Sequence, residues 1–241
     1  MPSNEPRVTA ADLPLPKREV TFRSADGVEL HGWLWRSREP TSPAVVCVHQ
    51  LGGDRREWEP LVGDLRARGA VSVLAIDLRG HGQSTRQGEK TLSYRTFSEG
   101  DWRGVVEDVR AALAYLQEGS GLRPSKVAVV GSSIGSSAAL RAAADDATVV
   151  AVVAISPGLA YHGLDTREAA RQLGGRPLLL VATRGDTGAS QAVDTLARDA
   201  GRSDRQVYAE GRAHGVAIAS ESPDLFPRIS VWLGAKLGIT R

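Results

Sequence analysis

The sequence predicts an α/β fold with a mostly parallel central sheet, an antiparallel N-terminal hairpin and helices on both faces. Short apolar runs without polar alternation recur along the chain, which is typical of strands buried on both faces. Segments with helical spacing lie between these runs, and such crossovers connect parallel strands. A length of 241 residues with 41% hydrophobic and 24% charged residues fits one globular domain.

The N-terminal part of the chain divides into an arm and a hairpin. Residues 1–16 are rich in proline and polar residues and show no periodicity, so we expect a flexible arm there. We expect residues 17–241 to form a single domain. Two β-rich runs, 19–24 and 28–35, flank an Asp-Gly pair that suits a tight turn. The sequence therefore predicts an antiparallel hairpin at an edge of the sheet.

Six apolar runs and two clear helices make up the rest of the predicted fold. The runs cover residues 44–48, 71–76, 126–130, 149–155, 177–182 and 206–208. The clearest helix is predicted for residues 101–117, because its apolar residues recur at three- and four-residue steps on one face. The last helix is predicted for residues 223–237, with a proline near its start and Gly238 just past its end.

Composition and charge argue against several classes of function. Thirty basic and 28 acidic residues give a net charge of +2, and the arginines are spread along the chain, so we expect no nucleic acid partner. No stretch approaches the ~20 apolar residues that a membrane span needs, and the first 20 residues lack a signal-peptide core. We expect a cytoplasmic protein, although a mature chain that has lost an export signal would look the same. The single cysteine, Cys47, lies in an apolar run and is expected to be buried.

One strand-turn-helix segment carries the strongest chemical signal, Gly131-Ser132-Ser133-Ile134-Gly135. A serine on a sharp strand-to-helix turn needs neighbours without side chains, and the two glycines meet that need. The helix start also places the Ile134 N–H and the positive end of the helix dipole beside the reacting oxygen. We predict Ser133 as the nucleophile. Ser132 is a rival, but it lacks the symmetric glycines, so we interpret it as a packing or hydrogen-bonding residue.

The general base is predicted to be His214. The chain has five histidines: His31, His49, His81, His162 and His214. His214 follows the last predicted strand, in a loop that reaches the same carboxyl edge of the sheet as Ser133. His49 and His81 follow the first two parallel strands and precede the nucleophile. The alternative for His214 is a surface histidine in a glycine-containing loop.

A carboxylate and two backbone donors complete the predicted site. Asp186 ends the strand before the His214 loop, whereas Asp194, Asp199 and Asp204 fall on or after a predicted helix, where a solvated face is expected. The resulting order along the chain is Ser, Asp, His. Ile134 supplies one N–H for an oxyanion, and the loop after the first parallel strand is placed to supply the other from Leu51.

These motifs together resemble the α/β-hydrolase family over about residues 19–238. The resemblance rests on the following segments and residues: His49-Gln50-Leu51-Gly52-Gly53, Asp77-Leu78-Arg79-Gly80-His81-Gly82-Gln83-Ser84, Gly131-Ser132-Ser133-Ile134-Gly135, Asp186 and His214. It implies an α/β-hydrolase fold and a structural role for the loop that contains Asp77 and His81, so neither is assigned a catalytic role.

Two departures from the family pattern bear on the site. The usual His-Gly before the oxyanion donor is His49-Gln50 here, which places a polar side chain near the acyl or leaving group. Many relatives insert a helical lid after the sixth core strand, but residues 156–176 have room only for a loop and a short helix over residues 165–172. We therefore expect no sizeable lid and an open site.

The sequence predicts a lidless, carboxylesterase-like serine hydrolase that cleaves small or short-acyl carboxylic esters through an acyl-enzyme, with no metal and no cofactor. The expected partner is a small-molecule ester. A thioesterase or peptidase on the same triad is an alternative, and a catalytically silent binding protein is a second one. The natural substrate and the oligomeric state stay open. Four residues either line a pocket or belong to the core: Trp58, Trp102, Tyr161 and Val216.

Overall fold

The computed structural model describes residues 17–201, 204–208 and 210–239, so the predicted arm over residues 1–16 lies outside the described residues. Within these ranges one sheet contains ten strands. They are β1 (Lys17–Arg23), β2 (Val28–Trp35), β3 (Ala44–Val48), β4 (Ser72–Ile76), β5 (Arg86–Gln87), β6 (Lys90–Thr91), β7 (Val127–Ser132), β8 (Val149–Ile155), β9 (Leu178–Thr183) and β10 (Asp204–Tyr208).

The strand order confirms the predicted fold class. The sheet runs β10-β9-β8-β7-β3-β4-β2-β5-β6, and β1 pairs with β2. From β10 to β4 every neighbouring pair is parallel, whereas β2 is antiparallel to both β1 and β4. The carboxyl ends of β3, β7, β8, β9 and β10 therefore meet at one edge of the sheet, where ligands bind in open α/β sheets.

Helices cover both faces of this sheet. They are α1 (Glu59–Arg68), α2 (Glu99–Arg103), α3 (Val105–Ala114), α4 (Ile134–Asp145), α5 (Arg167–Gln172), α6 (Thr187–Asp199), α7 (Ile218–Glu221) and α8 (Leu225–Leu237). Alternate residues of β3 enter two different apolar clusters, because side chains on a strand point to opposite faces. Val46 and Val48 pack with α3, α4, α5 and α6, whereas Val45 and Cys47 pack with α1 and α8. Cys47 is fully buried, as predicted, and burial raises the pKa of its thiol.

The prediction of one helix over residues 101–117 is wrong in its boundaries. The helix begins earlier, at α2, because the Ser98 hydroxyl accepts a hydrogen bond from Asp101 N and the Asp101 carboxylate accepts one from Ser98 N. Gly104 lies between α2 and α3 with helical backbone angles, φ −64° and ψ −20°, and a Cβ atom there would lie 2.2 Å from Arg79 Nη1. A single π-helical turn, Tyr115–Gly119, follows α3. The predicted apolar face is nevertheless buried throughout.

The C-terminal half of the fold agrees closely with the sequence. The last helix, α8, ends at Gly238, whose φ of 73° is the left-handed conformation that glycine adopts readily. Between β8 and β9 the chain forms a short 3₁₀ turn, Tyr161–Gly163, and α5, and it has no lid domain. Among the described residues we find no helix that is both long enough and apolar enough to cross a membrane.

Candidate active site

Ser133 sits on a strained turn between β7 and α4. Its φ is 53° and its ψ is −119°, a conformation that non-glycine residues rarely adopt. Its two flanking glycines are required by close backbone contacts. A Cβ atom on Gly131 would lie 2.3 Å from the Gly135 carbonyl oxygen, and one on Gly135 would lie 2.4 Å from the carbonyl oxygens of Val48 and His49. Only glycine fits at both positions.

The structure brings Ser133, His214 and Asp186 together in one hydrogen-bonded chain. His214 Nε2 lies 2.7 Å from Ser133 Oγ, and His214 Nδ1 lies 2.6 Å from Asp186 Oδ2. Asp186 also caps helix α6, since its Oδ1 accepts a hydrogen bond from Ala189 N at 3.3 Å. The cap fixes the carboxylate, and the carboxylate in turn holds the imidazole with Nε2 directed at the serine hydroxyl.

Backbone contacts hold the loop that carries His214. Glu221 Oε2 accepts hydrogen bonds from Arg212 N and Ala213 N, each at 2.9 Å. The Thr183 hydroxyl at the end of β9 donates to the Ala213 carbonyl oxygen at 3.0 Å. The loop is therefore fastened on both sides immediately before the histidine.

A second residue with positive φ fastens the other side of this loop. Ser156, at the end of β8, has a φ of 48° and is buried, and its hydroxyl oxygen accepts a hydrogen bond from Gly215 N at 2.8 Å. Sequence reasoning missed Ser156, because a positive φ at a serine leaves no mark in the sequence. Its position after an apolar strand that ends beside the nucleophile strand is the one signal that could have found it.

The two predicted oxyanion donors lie at the same cavity as Ser133. Ile134 is the first residue of α4, so its N–H has no acceptor within the helix. Leu51 follows β3 and belongs to the loop that packs under Gly135. Ser132, the rival nucleophile, is fully buried and donates to Gln50 Oε1 at 3.1 Å, which agrees with its interpretation as a hydrogen-bonding residue.

His49 and His81 are buried and support the loops around the site. His49 Nε2 accepts a hydrogen bond from Leu78 N at 2.9 Å, so Nδ1 carries the proton that is donated to the Gln50 carbonyl oxygen at 2.7 Å. The His81 ring stacks on Tyr94 with centroids 4.1 Å apart. Burial lowers the pKa of His49 and of His81 to about 4, so both rings are neutral at physiological pH.

Asp77 also has a structural environment. Its carboxylate accepts hydrogen bonds from Arg55 N, Arg55 Nη1 and Gln83 N, each at 2.9 Å. These contacts join the loop after β4 to the turn before α1. The carboxylate is buried and lies outside the lining of the cavity at Ser133.

A cavity of about 770 Å³ opens beside Ser133 and is lined mainly by apolar groups. Its apolar lining residues are Leu51, Ile134, Pro157, Leu159, Ala160, Tyr161 and Ala189. The described lining contains no Asp, Glu, His, Lys or Arg other than Asp186 and His214. The described residues also contain no cluster of three or more His, Cys, Asp or Glu side chains that could hold a metal ion.

The structure shows which of the four residues Trp58, Trp102, Tyr161 and Val216 line the cavity and which belong to the core. Tyr161 lines the cavity and is 47% exposed. Trp58 and Trp102 are buried in the two apolar clusters, and Val216 packs against the cluster that contains Trp58. Tyr161 is therefore the one member of this group that a bound ligand would touch.

A family profile described as alpha/beta hydrolase family matches residues 45–237. The chain belongs to this family. The match begins at the second residue of β3, ends at the last residue of α8 and contains every residue that we predicted for the site. The membership of the chain in this family confirms the resemblance that the sequence motifs indicate.

Solved structures of two esterases have the same fold. An esterase from Pyrococcus furiosus, Pf2001, superposes with a TM-score of 0.75 at 19% identity, and the match covers 98% of this chain and 100% of that one. A carboxyl esterase from Bacillus coagulans superposes with a TM-score of 0.70 at 15% identity, covering 92% and 99%. Likenesses at such low identity establish the fold alone.

A relative in sequence is the thiohydrolase aneE of Aspergillus aculeatus. It is 27% identical over 139 residues, which make up 58% of this chain and 41% of the relative. The chain spans about half the length of the curated relatives it matches.

Proposed function

We propose that this α/β-hydrolase is a serine esterase that cleaves small or short-acyl carboxylic esters through an acyl-enzyme intermediate. The observation that carries the proposal is the hydrogen-bonded chain from Ser133 Oγ through His214 to Asp186, with Ser133 at the wall of an apolar cavity. In a catalytically silent binding protein nothing would require this chain, and the strain at Ser133 would have no use.

The geometry supports a two-step acyl transfer. His214 Nε2 takes the proton as Ser133 Oγ attacks the ester carbonyl carbon, and the tetrahedral intermediate carries its negative charge on the former carbonyl oxygen. The N–H groups of Ile134 and Leu51 are the proposed donors to that oxygen. His214 then returns the proton to the departing alkoxide, and water repeats the sequence to release the acid.

Asp186 contributes by fixing the orientation and the tautomer of the histidine. Its carboxylate accepts the Nδ1 proton, so the neutral imidazole presents Nε2 as the acceptor that the serine needs. When His214 becomes an imidazolium during the attack, the same carboxylate stabilises the positive charge. The Ala189 N–H that caps it keeps the carboxylate in place.

The cavity supports a neutral, largely apolar acyl group. The described part of its lining offers no Lys or Arg that would pair with an acidic substrate, and no described segment covers it as a lid. Thioester cleavage is the second candidate, because the triad fixes the acyl-transfer step and leaves the leaving group open, and one sequence relative is named a thiohydrolase.

A panel of nitrophenyl esters with acyl chains of two to sixteen carbons tests the proposal. We expect kcat/KM to be highest for the short chains, and we expect Ser133→Ala to lower the rate by about 10⁶-fold where chemistry limits it. Ser125→Ala is the matched control, since Ser125 is exposed and lies just before the opposite end of β7. The proposal fails if no ester in the panel turns over faster than with Ser133→Ala. A preference for thioesters of equal chain length would favour the second candidate.

A further inference from the structure

The Gln50 side chain lies where three parts of the site meet. Its Oε1 accepts hydrogen bonds from Ser132 Oγ at 3.1 Å and from Val216 N at 3.3 Å. The Ser132 hydroxyl oxygen accepts a second bond from the same Val216 N–H at 3.2 Å. A backbone N–H can only donate, so the Gln50 atom that faces it is the carbonyl oxygen and not the amide nitrogen.

These contacts connect the nucleophile strand directly to the histidine loop. Ser132 precedes the nucleophile, and Val216 follows His214 by two residues. The packing between them is tight, because a Cβ atom on Gly215 would lie 1.9 Å from Gln50 Oε1 and 2.5 Å from Ser132 Oγ. A shift of the histidine loop toward β7 would therefore displace the Gln50 side chain.

The backbone of Gln50 is itself held in the loop that carries Leu51. Its carbonyl oxygen accepts bonds from His49 Nδ1 at 2.7 Å and from Gly53 N at 3.0 Å, and its N–H donates to Glu57 Oε2 at 3.4 Å. These bonds hold the backbone of Gln50 in place, one residue before the proposed oxyanion donor Leu51.

We propose that Gln50 is a positioning residue for acyl transfer. Its side-chain carbonyl oxygen fastens the loop of His214 to the strand of Ser133 and to the loop of Leu51, so that base, nucleophile and oxyanion donor keep one geometry. The glycine that the family usually carries at this position has no side chain for these bonds. This inference rests on the proposed function, and it assigns the departure from the family pattern a role in the same site.

The positioning role makes a specific kinetic prediction. Gln50→Met removes both acceptor contacts, so the histidine loop gains freedom, and it keeps a side chain of similar length at the cavity that Gln50 also lines. We expect kcat to fall by about 10- to 100-fold with KM within about twofold of the parent, because small misplacements of reacting groups cost rate rather than binding. Gln87→Met is the matched control. Gln87 lies in β5, away from the site, and its side chain donates one hydrogen bond to the Asp26 carbonyl oxygen.

A double-mutant cycle and a spectroscopic signal test the mechanism of the loss. Ser132→Ala removes the other partner of the same contact, so the variant with both changes is expected to be little slower than the slower single variant. The His214 Nδ1 proton bound to Asp186 should give a low-field proton NMR signal in the parent and a broadened one in Gln50→Met. Ser132→Ala deletes a single hydroxyl, so it keeps the test valid if Gln50→Met melts far below the parent.

The outcomes separate this inference from the proposed function. If the parent cleaves no ester or thioester, the proposed function has failed. An active parent with an unchanged kcat in Gln50→Met overturns the inference alone. A rise in KM at constant kcat also overturns it, because Gln50 would then contact the substrate. Losses that multiply in the double variant would likewise show that Gln50 and Ser132 act separately.

Discussion

The close contact between the nucleophile helix and the end of β3 predicts a sharp response to Gly135→Ala. The new Cβ atom would lie 2.4 Å from the carbonyl oxygens of Val48 and His49, and real contacts of this kind are at least 3.0 Å, so the two segments must part by about 0.6 Å. Overpacking of this kind costs about 1–3 kcal/mol of stability. In a chain of this size that lowers the melting temperature by about 2–12 °C.

The same displacement also affects the proposed oxyanion site. One donor is the N–H of Ile134, the first residue of α4, which the new methyl group pushes away from β3. The other donor is the N–H of Leu51, which follows β3 in the chain. A misplacement of about 1 Å costs on the order of 10²-fold in rate, so we expect Gly135→Ala to lose about 10- to 100-fold in kcat on a short-chain nitrophenyl ester.

Initial-rate kinetics and calorimetry on purified variants measure both effects. Gly63→Ala is the matched control, because a Cβ atom there meets nothing within 4 Å in the middle of α1. Replacing glycine by alanine in a helix interior should raise stability by up to about 1 kcal/mol, and we expect no change in kcat. A Gly135→Ala variant that keeps the parental melting temperature and at least half of kcat would refute the reasoning from close packing.

Three further predictions concern charged groups. Asp186→Asn should lower kcat by about 10⁴-fold at an unchanged melting temperature, whereas Asp194→Asn should not; a variant that keeps more than a tenth of the rate would move the carboxylate elsewhere. Burial raises the pKa of Glu57 to about 7, so the Glu57 carboxyl binds its proton more tightly in the folded chain than in the unfolded chain. The resulting stabilisation is complete below about pH 4.5 and is lost as the pH rises through 7. Glu57→Gln should therefore raise the melting temperature over the parent at pH 8.5 and much less at pH 5.5; equal differences at both values would contradict this. Asp108→Ala should cost about 3–5 kcal/mol in chemical unfolding, because the buried Arg79 loses its fully buried partner and keeps only the partly exposed Asp26; a cost below about 1 kcal/mol would show that Asp26 alone satisfies Arg79.

The parallel core and the placement of the site could be predicted from local patterns in the sequence. Valine-rich runs such as those of β3 and β8 have no polar alternation and therefore indicate strands buried on both faces. Because parallel strands end at one edge, the residues that follow them, including Ser133, Asp186 and His214, were expected to lie close together, and the structure places them within hydrogen-bonding distance.

The features that the sequence did not predict depend on contacts between distant segments. Arg79 approaches Gly104 from another loop and leaves no room for a side chain there, which no helical periodicity records. Ser156 and Gln50 support the histidine loop through hydrogen bonds from Gly215 and Val216. The two partners of each bond are separated by 59 and 166 positions in the sequence, respectively. The cytoplasmic location and the lack of a nucleic acid partner stay predictions.

The proposed function depends most on Ser133 as an activated nucleophile, and labelling with a fluorophosphonate probe tests this directly. The parent should form one covalent adduct, and peptide mass mapping should locate it at Ser133. Ser133→Ala should abolish the adduct while the variant stays folded. No adduct on the folded parent, or an adduct that persists in Ser133→Ala, for example on Ser132, would contradict the central claim.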